Sequence, residues 1–232
     1  MTQSSAEQGD PHDAFASILL RADGAPIATA VIHPVSQNAL AAALDAQATG
    51  LIKAVLVGPE KRIRAAADQF GLDLAGAEII DTPHSHAAAQ TGVDLARAGK
   101  VHALMKGALH TNELMAAIVA RNTGLRTDRR MSHVFVMHTP AYPKYLLISD
   151  GALNIAPDLH TKRWIVQNAV PNIEAGNMLA KQLDYLAGAA AAGLVVGAQV
   201  PIILTSRSDS VRERLASCAL AKCYLAWKAS AP

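Results

Sequence analysis

The 232-residue sequence is poor in aromatic side chains and in cysteine, and it has neither a charge imbalance nor a long uninterrupted apolar run. Aromatic residues make up 4%, so alanine and aliphatic side chains must pack the core that a hydrophobic fraction of 51% permits. A net charge of +2 gives no electrostatic signature of nucleic-acid binding. Residues 186–198, the longest apolar stretch, contain three glycines and are too short to cross a bilayer, so no membrane partner is expected.

Several motifs that mark common enzyme classes are also missing. No GxxxxGK[ST] or GxGxxG sequence occurs, which removes the main support for a P-loop nucleotidase or a dinucleotide enzyme. No GxSxG sequence occurs either, which weakens the case for a serine hydrolase.

The few metal-ligand and thiol side chains are not spaced as a site. Cys218 and Cys223 are five residues apart in a helical pattern, which is not a zinc spacing and is typical of reduced thiols. His84 and His86 do not share a helix face, and His133 lies in a strand pattern typical of a packed core histidine. The N-terminal residues lack the basic and apolar regions of a secretory signal. These observations favour a cytoplasmic protein without a bound metal.

Short apolar runs alternate with helical patterns over most of the chain, which predicts an α/β fold with a doubly wound, mostly parallel sheet. The expected strands are 28–32, 53–57, 78–81, 101–105, 192–197 and 201–205, and a closing helix is expected over 209–227. Residues 131–150 read instead as two strands joined by a proline-containing loop, which predicts an antiparallel hairpin at a sheet edge or in an arm.

The stretch LMKGALHT at 104–111 has the features of an anion site at the carboxyl end of a strand. Lys106 ends an apolar run, Gly107 permits close backbone approach, and His110 and Thr111 open a helix whose positive dipole end would face a ligand. The alternative is a glycine-containing βα loop with a solvated lysine.

Two further groups of polar residues follow predicted strands or precede them. Arg126 and Arg130 lie in a basic cluster with Arg121 and Arg129, and the guanidinium fork suits phosphate, although a solvated loop explains the cluster equally well. Asp150 and Asn154 follow the second hairpin strand, where they could face a cleft or simply cap a turn.

The stretch LTSRSD at 204–209 combines three chemical roles after another apolar run. Ser206 offers a hydrogen-bond donor, Arg207 a phosphate clamp and Asp209 a base. The alternative is that Ser208 or Asp209 caps the last helix.

Taken together, these stretches resemble the phosphate acetyltransferase/phosphate butyryltransferase family, especially its phosphotransbutyrylase-like members. The resemblance covers residues 28–221 and rests on LMKGALHT, GLRTDRRMSHVFVM, LLISDGALNIAP, IVQNA, EAGNMLAKQL and VPIILTSRSDSVRERLASCALA. It implies reversible acyl transfer between coenzyme A and inorganic phosphate, with coenzyme A as a substrate and no tightly bound cofactor. It also implies an isocitrate-dehydrogenase-like architecture of two domains, with the active site in the cleft between them, and a homodimer.

The resemblance also assigns residues. It implies that Ser206, Arg207 and Asp209 are catalytic, with Glu213 as a rival to Asp209 for the role of base. Lys106, Gly107, His110, Thr111, Arg126, Arg130, Asp150, Asn154 and Asn177 would bind substrate or phosphate.

One departure from the family is large. IVQNA and EAGNMLAKQL nearly abut here at residues 170–172, whereas the family places the central strands of its second domain between them. By resemblance roughly 80 residues are absent, about the size of a small domain's core. The expected organisation is a tail and entry helix over 1–27, a first α/β domain over 28–148 with 206–232 packed on it, and a truncated second domain over 149–205. The alternative to an active enzyme is therefore a vestigial module that binds coenzyme A or phosphate, or that only dimerises. An NAD-linked decarboxylating dehydrogenase of the related fold would need a carboxylate cluster for a divalent metal, which the sequence lacks.

Overall fold

The computed structural model describes residues 15–74, 76–139, 142–150, 153–154, 157–169, 190–206 and 208–230, without the side chains of 142, 143, 167 and 169. The strands are β1 (Ile27–Ile32), β2 (Ile52–Gly58), β3 (Glu78–Asp81), β4 (Ala103–Lys106), β5 (Ser132–Thr139), β6 (Tyr142–Ser149), β7 (Ala190–Val196) and β8 (Ile202–Ile203). The helices are α1 (Ala16–Arg21), α2 (Gln37–Ala48), α3 (Glu60–Phe70), α4 (Ser85–Arg97), α5 (Thr111–Val119), α6 (Leu159–Ala169) and α7 (Val211–Ser230).

The eight strands form one sheet in the order β3-β2-β1-β4-β8-β7-β5-β6. The first five strands in this order are parallel to one another. The pairs β8–β7, β7–β5 and β5–β6 are antiparallel. The predicted α/β class, mostly parallel sheet and edge hairpin are therefore confirmed. The segment EAGNMLAKQL, at 174–183, lies outside the described residues.

The parallel half of the sheet is covered on both faces, which explains its continuous apolar strands. In β1, Val31 packs into the core with α1, α2, α3 and α7, whereas Ala30 and Ile32 pack on the other face with α4 and α5. All three side chains are fully buried. A strand buried on both faces cannot alternate apolar with polar residues, so IATAVI reads as an unbroken run.

The last helix begins with a capping box that the sequence reading misplaces by one or two residues. The hydroxyl of Ser210 accepts a hydrogen bond from the backbone N–H of Glu213, and the Glu213 carboxylate accepts one from the backbone N–H of Ser210 at 2.7 Å. The cap is therefore Ser210, and neither Ser208 nor Asp209 is needed for it. The second Glu213 oxygen accepts a hydrogen bond from the N–H of Ala191, which ties α7 to β7.

The buried His133 belongs to the core, as its strand pattern predicts. Its ring lies 4.2 Å from that of Phe135, and neither ring nitrogen has a hydrogen-bond partner in the described part of the chain. Burial lowers the pKa of His133 to about 4, so the ring is neutral near pH 7. Gly193 on the neighbouring strand makes room for it, because a β-carbon there would lie 2.9 Å from Nε2 of His133.

Candidate active site

A cavity of about 290 Å³ opens at the carboxyl edge of the parallel strands. We call it the carboxyl-edge cavity. Three loops contribute its walls: residues 36–39 after β1, residues 106–109 after β4, and Thr205 and Ser206 after β8, with Arg214 of α7 completing the lining. Strand ends of an open α/β sheet are where such folds bind ligands. The structure thus brings the two sequence motifs LMKGALHT and LTSRSD to one cavity.

Gly107 fixes the shape of the β4 loop by lying against the end of β1. Its N–H donates a hydrogen bond to the carbonyl oxygen of Ile32 at 2.9 Å, and Ala108 donates one to His33, also at 2.9 Å. A β-carbon at position 107 would lie 2.3 Å from the Ile32 oxygen, so only glycine fits. Gly107 therefore positions Lys106 at the cavity. The N–H of Gly107 is already bonded within the protein, to Ile32.

The start of α5 is held by the Glu113 side chain. Glu113 accepts a hydrogen bond from the backbone N–H of His110 at 3.0 Å and another from the hydroxyl of Ser85 at 2.8 Å. These hydrogen bonds, that of His110 first, lower the pKa of the Glu113 carboxyl below its usual value. His110 and Thr111 follow the cavity wall directly, but neither side chain lines it.

Asp209 is hydrogen-bonded to Ser206. Its carboxylate accepts a hydrogen bond from the backbone N–H of Ser206 at 2.6 Å. The Ser206 hydroxyl lies 3.0 Å from that of Ser208. Glu213, the rival base, has both carboxylate oxygens engaged by backbone N–H groups. Neither carboxylate is among the described residues that line the carboxyl-edge cavity. Arg207 and Asn177 lie outside the described residues.

A second cavity, of about 330 Å³, collects the basic loop and Asn154. We call it the arginine cavity. Arg126, Arg129 and Arg130 line it together with the apolar Met115, Val119, Met131 and Leu153. In the described part of the chain none of these three guanidinium groups forms an ion pair with a carboxylate.

The backbone beneath these arginines is anchored at several points. The Thr127 hydroxyl donates to the carbonyl oxygen of Gly197 at 2.7 Å, and Asn168 donates to the carbonyl oxygen of Arg130. Asn154 donates to the carbonyl oxygen of Met131 at 2.9 Å and to the Asp150 carboxylate. Asp150 also accepts the N–H of His133 at 2.9 Å, so Asp150 and Asn154 hold the turn after β6 together.

The two cavities lie at opposite edges of the sheet. Since β5 is antiparallel to β7, and β7 to β8, β5 runs in the same direction as β8. The residues before β5 and after the antiparallel β6 therefore lie at the amino edge. The structure does not bring Arg126, Arg130, Asp150 and Asn154 together with Lys106 and Ser206. The helix α5 connects the edges, beginning after the carboxyl-edge cavity and contributing Met115 and Val119 to the arginine cavity.

The sequence reading misses two contributors to the carboxyl-edge cavity. Residues 37–39 form the first turn of α2, with Ser36 capping the N–H of Ala39. Serine is a common N-cap residue, so the sequence is compatible with a helix that begins after Ser36. It does not show that the start of this helix faces the cavity. Arg214 falls within a mixed charged stretch, VRERLAS, which gives no signal that one of its two arginines points inward.

No divalent-metal or membrane feature accompanies these cavities. Within the described ranges, no three His, Cys, Asp or Glu side chains are grouped so that they could hold a metal ion. None of the helices in those ranges combines the length and the apolar character that crossing a membrane requires.

An α/β sheet that gathers a lysine, a serine and a helix start around one small cavity is typical of enzymes that handle phosphorylated metabolites. The chain is 41% identical to a phosphate acetyltransferase of Rhizobium meliloti, over 89% of this chain and 92% of that protein. It is 27% identical to a phosphate butyryltransferase of Clostridium acetobutylicum, over 84% and 91% of the two chains. The protein belongs to the phosphate acetyltransferase/phosphate butyryltransferase family. No family model matches the chain.

Structural comparison gives the same fold. A phosphotransacetylase from Streptococcus pyogenes superposes with a TM-score of 0.74 at 12% identity, over 94% of this chain and 99% of that one. The alignment with the Rhizobium meliloti protein runs over 289 residues, more than the 232 of this chain. That relative therefore has internal residues with no counterpart here. The predicted position of the gap, near Val170, lies outside the described residues.

Proposed function

We propose that this chain transfers an acyl group of acetyl or butyryl size between coenzyme A and inorganic phosphate. The observation that carries the proposal is the shared cavity of Lys106 and Ser206, the central residues of the two motifs that resemble the family. A cavity of about 290 Å³ lies at the small end of the range for ligand sites and suits a phosphoryl group with a short acyl chain.

The proposed chemistry needs a base, an anion site and a donor to the carbonyl oxygen. The thiol of coenzyme A has a pKa near 8.5, and Asp209 takes its proton as the sulfur attacks the acyl carbon. Lys106 and, by family resemblance, Arg207 hold the phosphate that leaves with the electrons of the broken C–O bond. The Ser206 hydroxyl donates to the carbonyl oxygen as negative charge develops there. In the reverse direction phosphate attacks the thioester and the thiolate leaves.

The arginine cavity is proposed to bind the nucleotide phosphates of coenzyme A, which the pantetheine arm separates from the thiol. The nine-residue α5 between the cavities is about 13 Å long. Replacing Arg130 by alanine should then raise the KM for coenzyme A and leave the KM for a pantetheine thioester unchanged. Equal effects on both substrates would contradict this subsite.

The test of the main proposal is thiol release from acetyl-CoA and butyryl-CoA in the presence of phosphate. Wild-type turnover is expected with at least one of them, and Lys106→Ala should lower kcat/KM by about 10–100-fold because one charge-assisted contact is lost. Lys53→Ala is the matched control, since Lys53 is exposed near the amino end of β2. Absence of wild-type turnover, or an unchanged Lys106→Ala, would overturn the assignment.

A second candidate is a binding module without turnover, and the residues missing relative to the Rhizobium meliloti protein favour it. Stabilisation of the wild-type chain against heat by coenzyme A, with no thiol release, would support this candidate. The homodimer remains a prediction of the family resemblance, and gel filtration tests it. The cytoplasmic location remains a prediction from the cysteine spacing and the composition of the N-terminal residues.

A further inference from the structure

Arg214 carries a buried hydrogen-bond donor without a partner. Its Nε is fully buried, and no acceptor reaches it in the part of the chain that the structure describes. Leaving a buried polar group unpaired is costly, and more so for a charged group, so such a donor needs an explanation. The side chain lines the carboxyl-edge cavity, where a ligand could supply the missing acceptor.

The surroundings of Arg214 are positive from two directions. Lys106 lies at the same cavity, and the first turn of α2 presents its positive dipole end there. Among the lining residues that the structure describes, none is an aspartate or a glutamate. Two cations and a helix start without a lining carboxylate form a site for an anion carrying more than one negative charge.

We propose that Arg214 is a phosphoryl-binding residue, and that it grips the phosphoryl oxygens from the α7 side of the cavity while Lys106 and the start of α2 contact them from the others. Nε and one terminal nitrogen of the guanidinium donate to two oxygens of the same phosphate, which fixes its orientation. The reaction in which Arg214 would take part rests on the proposed function, whereas the binding of an anion by Arg214 does not. It gives Arg214 the role that the sequence reading gave to Arg126 and Arg130, which lie at the other edge of the sheet.

Kinetics of three variants in phosphate-free buffer test the proposal. Arg214→Met should raise the KM for inorganic phosphate by about 10–100-fold and leave the KM for the acyl-CoA substrate unchanged, because one bidentate contact is lost. Arg214→Lys keeps the charge without the fork and should lie between Arg214→Met and wild type. Arg212→Met is the matched control, because Arg212 is exposed on the same helix and two residues away, on a different face.

Chemical rescue separates binding from a merely structural role. Millimolar guanidinium ion should restore part of the phosphate affinity of Arg214→Ala and should leave Lys106→Ala unaffected. A KM for phosphate that stays at the wild-type value in Arg214→Met, or an increase in both KM values without rescue, would overturn the proposal.

A binding measurement keeps this proposal distinct from the proposed function. Inorganic phosphate should stabilise the wild-type chain against heat, and the apparent Kd should rise by about 10–100-fold in Arg214→Met. If the chain binds phosphate through Arg214 but releases no thiol, the proposed function fails and the Arg214 assignment stands. If thiol is released and Arg214→Met binds phosphate like wild type, the Arg214 assignment fails alone.

Discussion

The N–H of Gly107 and the carbonyl oxygen of Ile32 form a 2.9 Å hydrogen bond that joins the ends of two neighbouring parallel strands. The contact leaves no room for a side chain at position 107. Since Lys106 is the preceding residue, the same contact fixes where the lysine enters the carboxyl-edge cavity.

Replacing Gly107 by alanine should therefore reduce both stability and activity. The new methyl group would meet backbone oxygens of Ile32 and His33, which cannot move aside cheaply, so we expect a loss of about 1–3 kcal/mol in the free energy of unfolding. Urea denaturation measures it. Gly92→Ala is the control, because the nearest atoms that its methyl group would meet belong to the side chains of Ile32 and Leu104 and not to the backbone. Equal losses in the two variants would contradict the argument.

Asp209→Asn tests the base. The amide keeps an oxygen that can accept a hydrogen bond from the Ser206 N–H, so this contact should survive. The amide cannot take the proton of the thiol. General-base catalysis typically contributes about 10²–10⁴-fold, and the loss in thiol-dependent rate should fall in that range. Part of the rate should return above about pH 8.5, where the thiol ionises unaided. A pH profile parallel to that of wild type would show that Asp209 only holds the backbone of Ser206 and is not the base.

His133 should make the protein lose stability in acid. Its pKa is lowered from 6.5 to about 4 in the folded state, so the unfolded chain binds the proton more readily between these values. The contribution is full above pH 6.5 and is lost as the pH falls toward about 4, by about 3 kcal/mol in total. In His133→Leu this part of the pH dependence of unfolding should disappear. The exposed His102, replaced by glutamine, should leave it intact, and an unchanged slope in His133→Leu would refute the assignment.

Lys222→Met should destabilise the fold without affecting the cavities. The buried Lys222 ammonium group donates to the carbonyl oxygens of Gly24 at 2.7 Å and Gly50 at 3.4 Å, and so joins α7 to the loops before β1 and after α2. Methionine preserves the stem but leaves these oxygens without that donor, at a cost of about 1–3 kcal/mol. Thermal unfolding measures the loss, and the exposed Lys228→Met is the comparison. A melting temperature equal to that of Lys228→Met would contradict the role.

The alternation of apolar runs and helical patterns is enough to predict most of the fold. IATAVI, KAVLV and LMK are strands because both faces of the parallel half are covered, and the two prolines of HTPAYPK favour an edge hairpin. The alternation does not predict the order of the strands in the sheet. Periodicity is local, and it does not tell that β8, two residues long, pairs with β4 on one side and β7 on the other.

Because sequence patterns are local, they also predict only part of the candidate site. Lys106 and Ser206 share a cavity because both follow parallel strands, and that rule needs only the class of fold. Asp150 also follows a strand, but β6 is antiparallel, so its end lies at the opposite edge. The sequence does not single out Arg214, because helical spacing alone does not distinguish this half-buried arginine from the exposed Arg212.

The position of β8 has a consequence for synthesis. β4 and β7 are both translated before β8, yet each has β8 as its neighbour in the sheet. Until residues 202–203 leave the ribosome, β4 and β7 both lack β8 as a neighbour, so the nascent chain has two exposed strand edges. Such edges can pair with other chains. The sheet should therefore close only after residues 202–203 have left the ribosome.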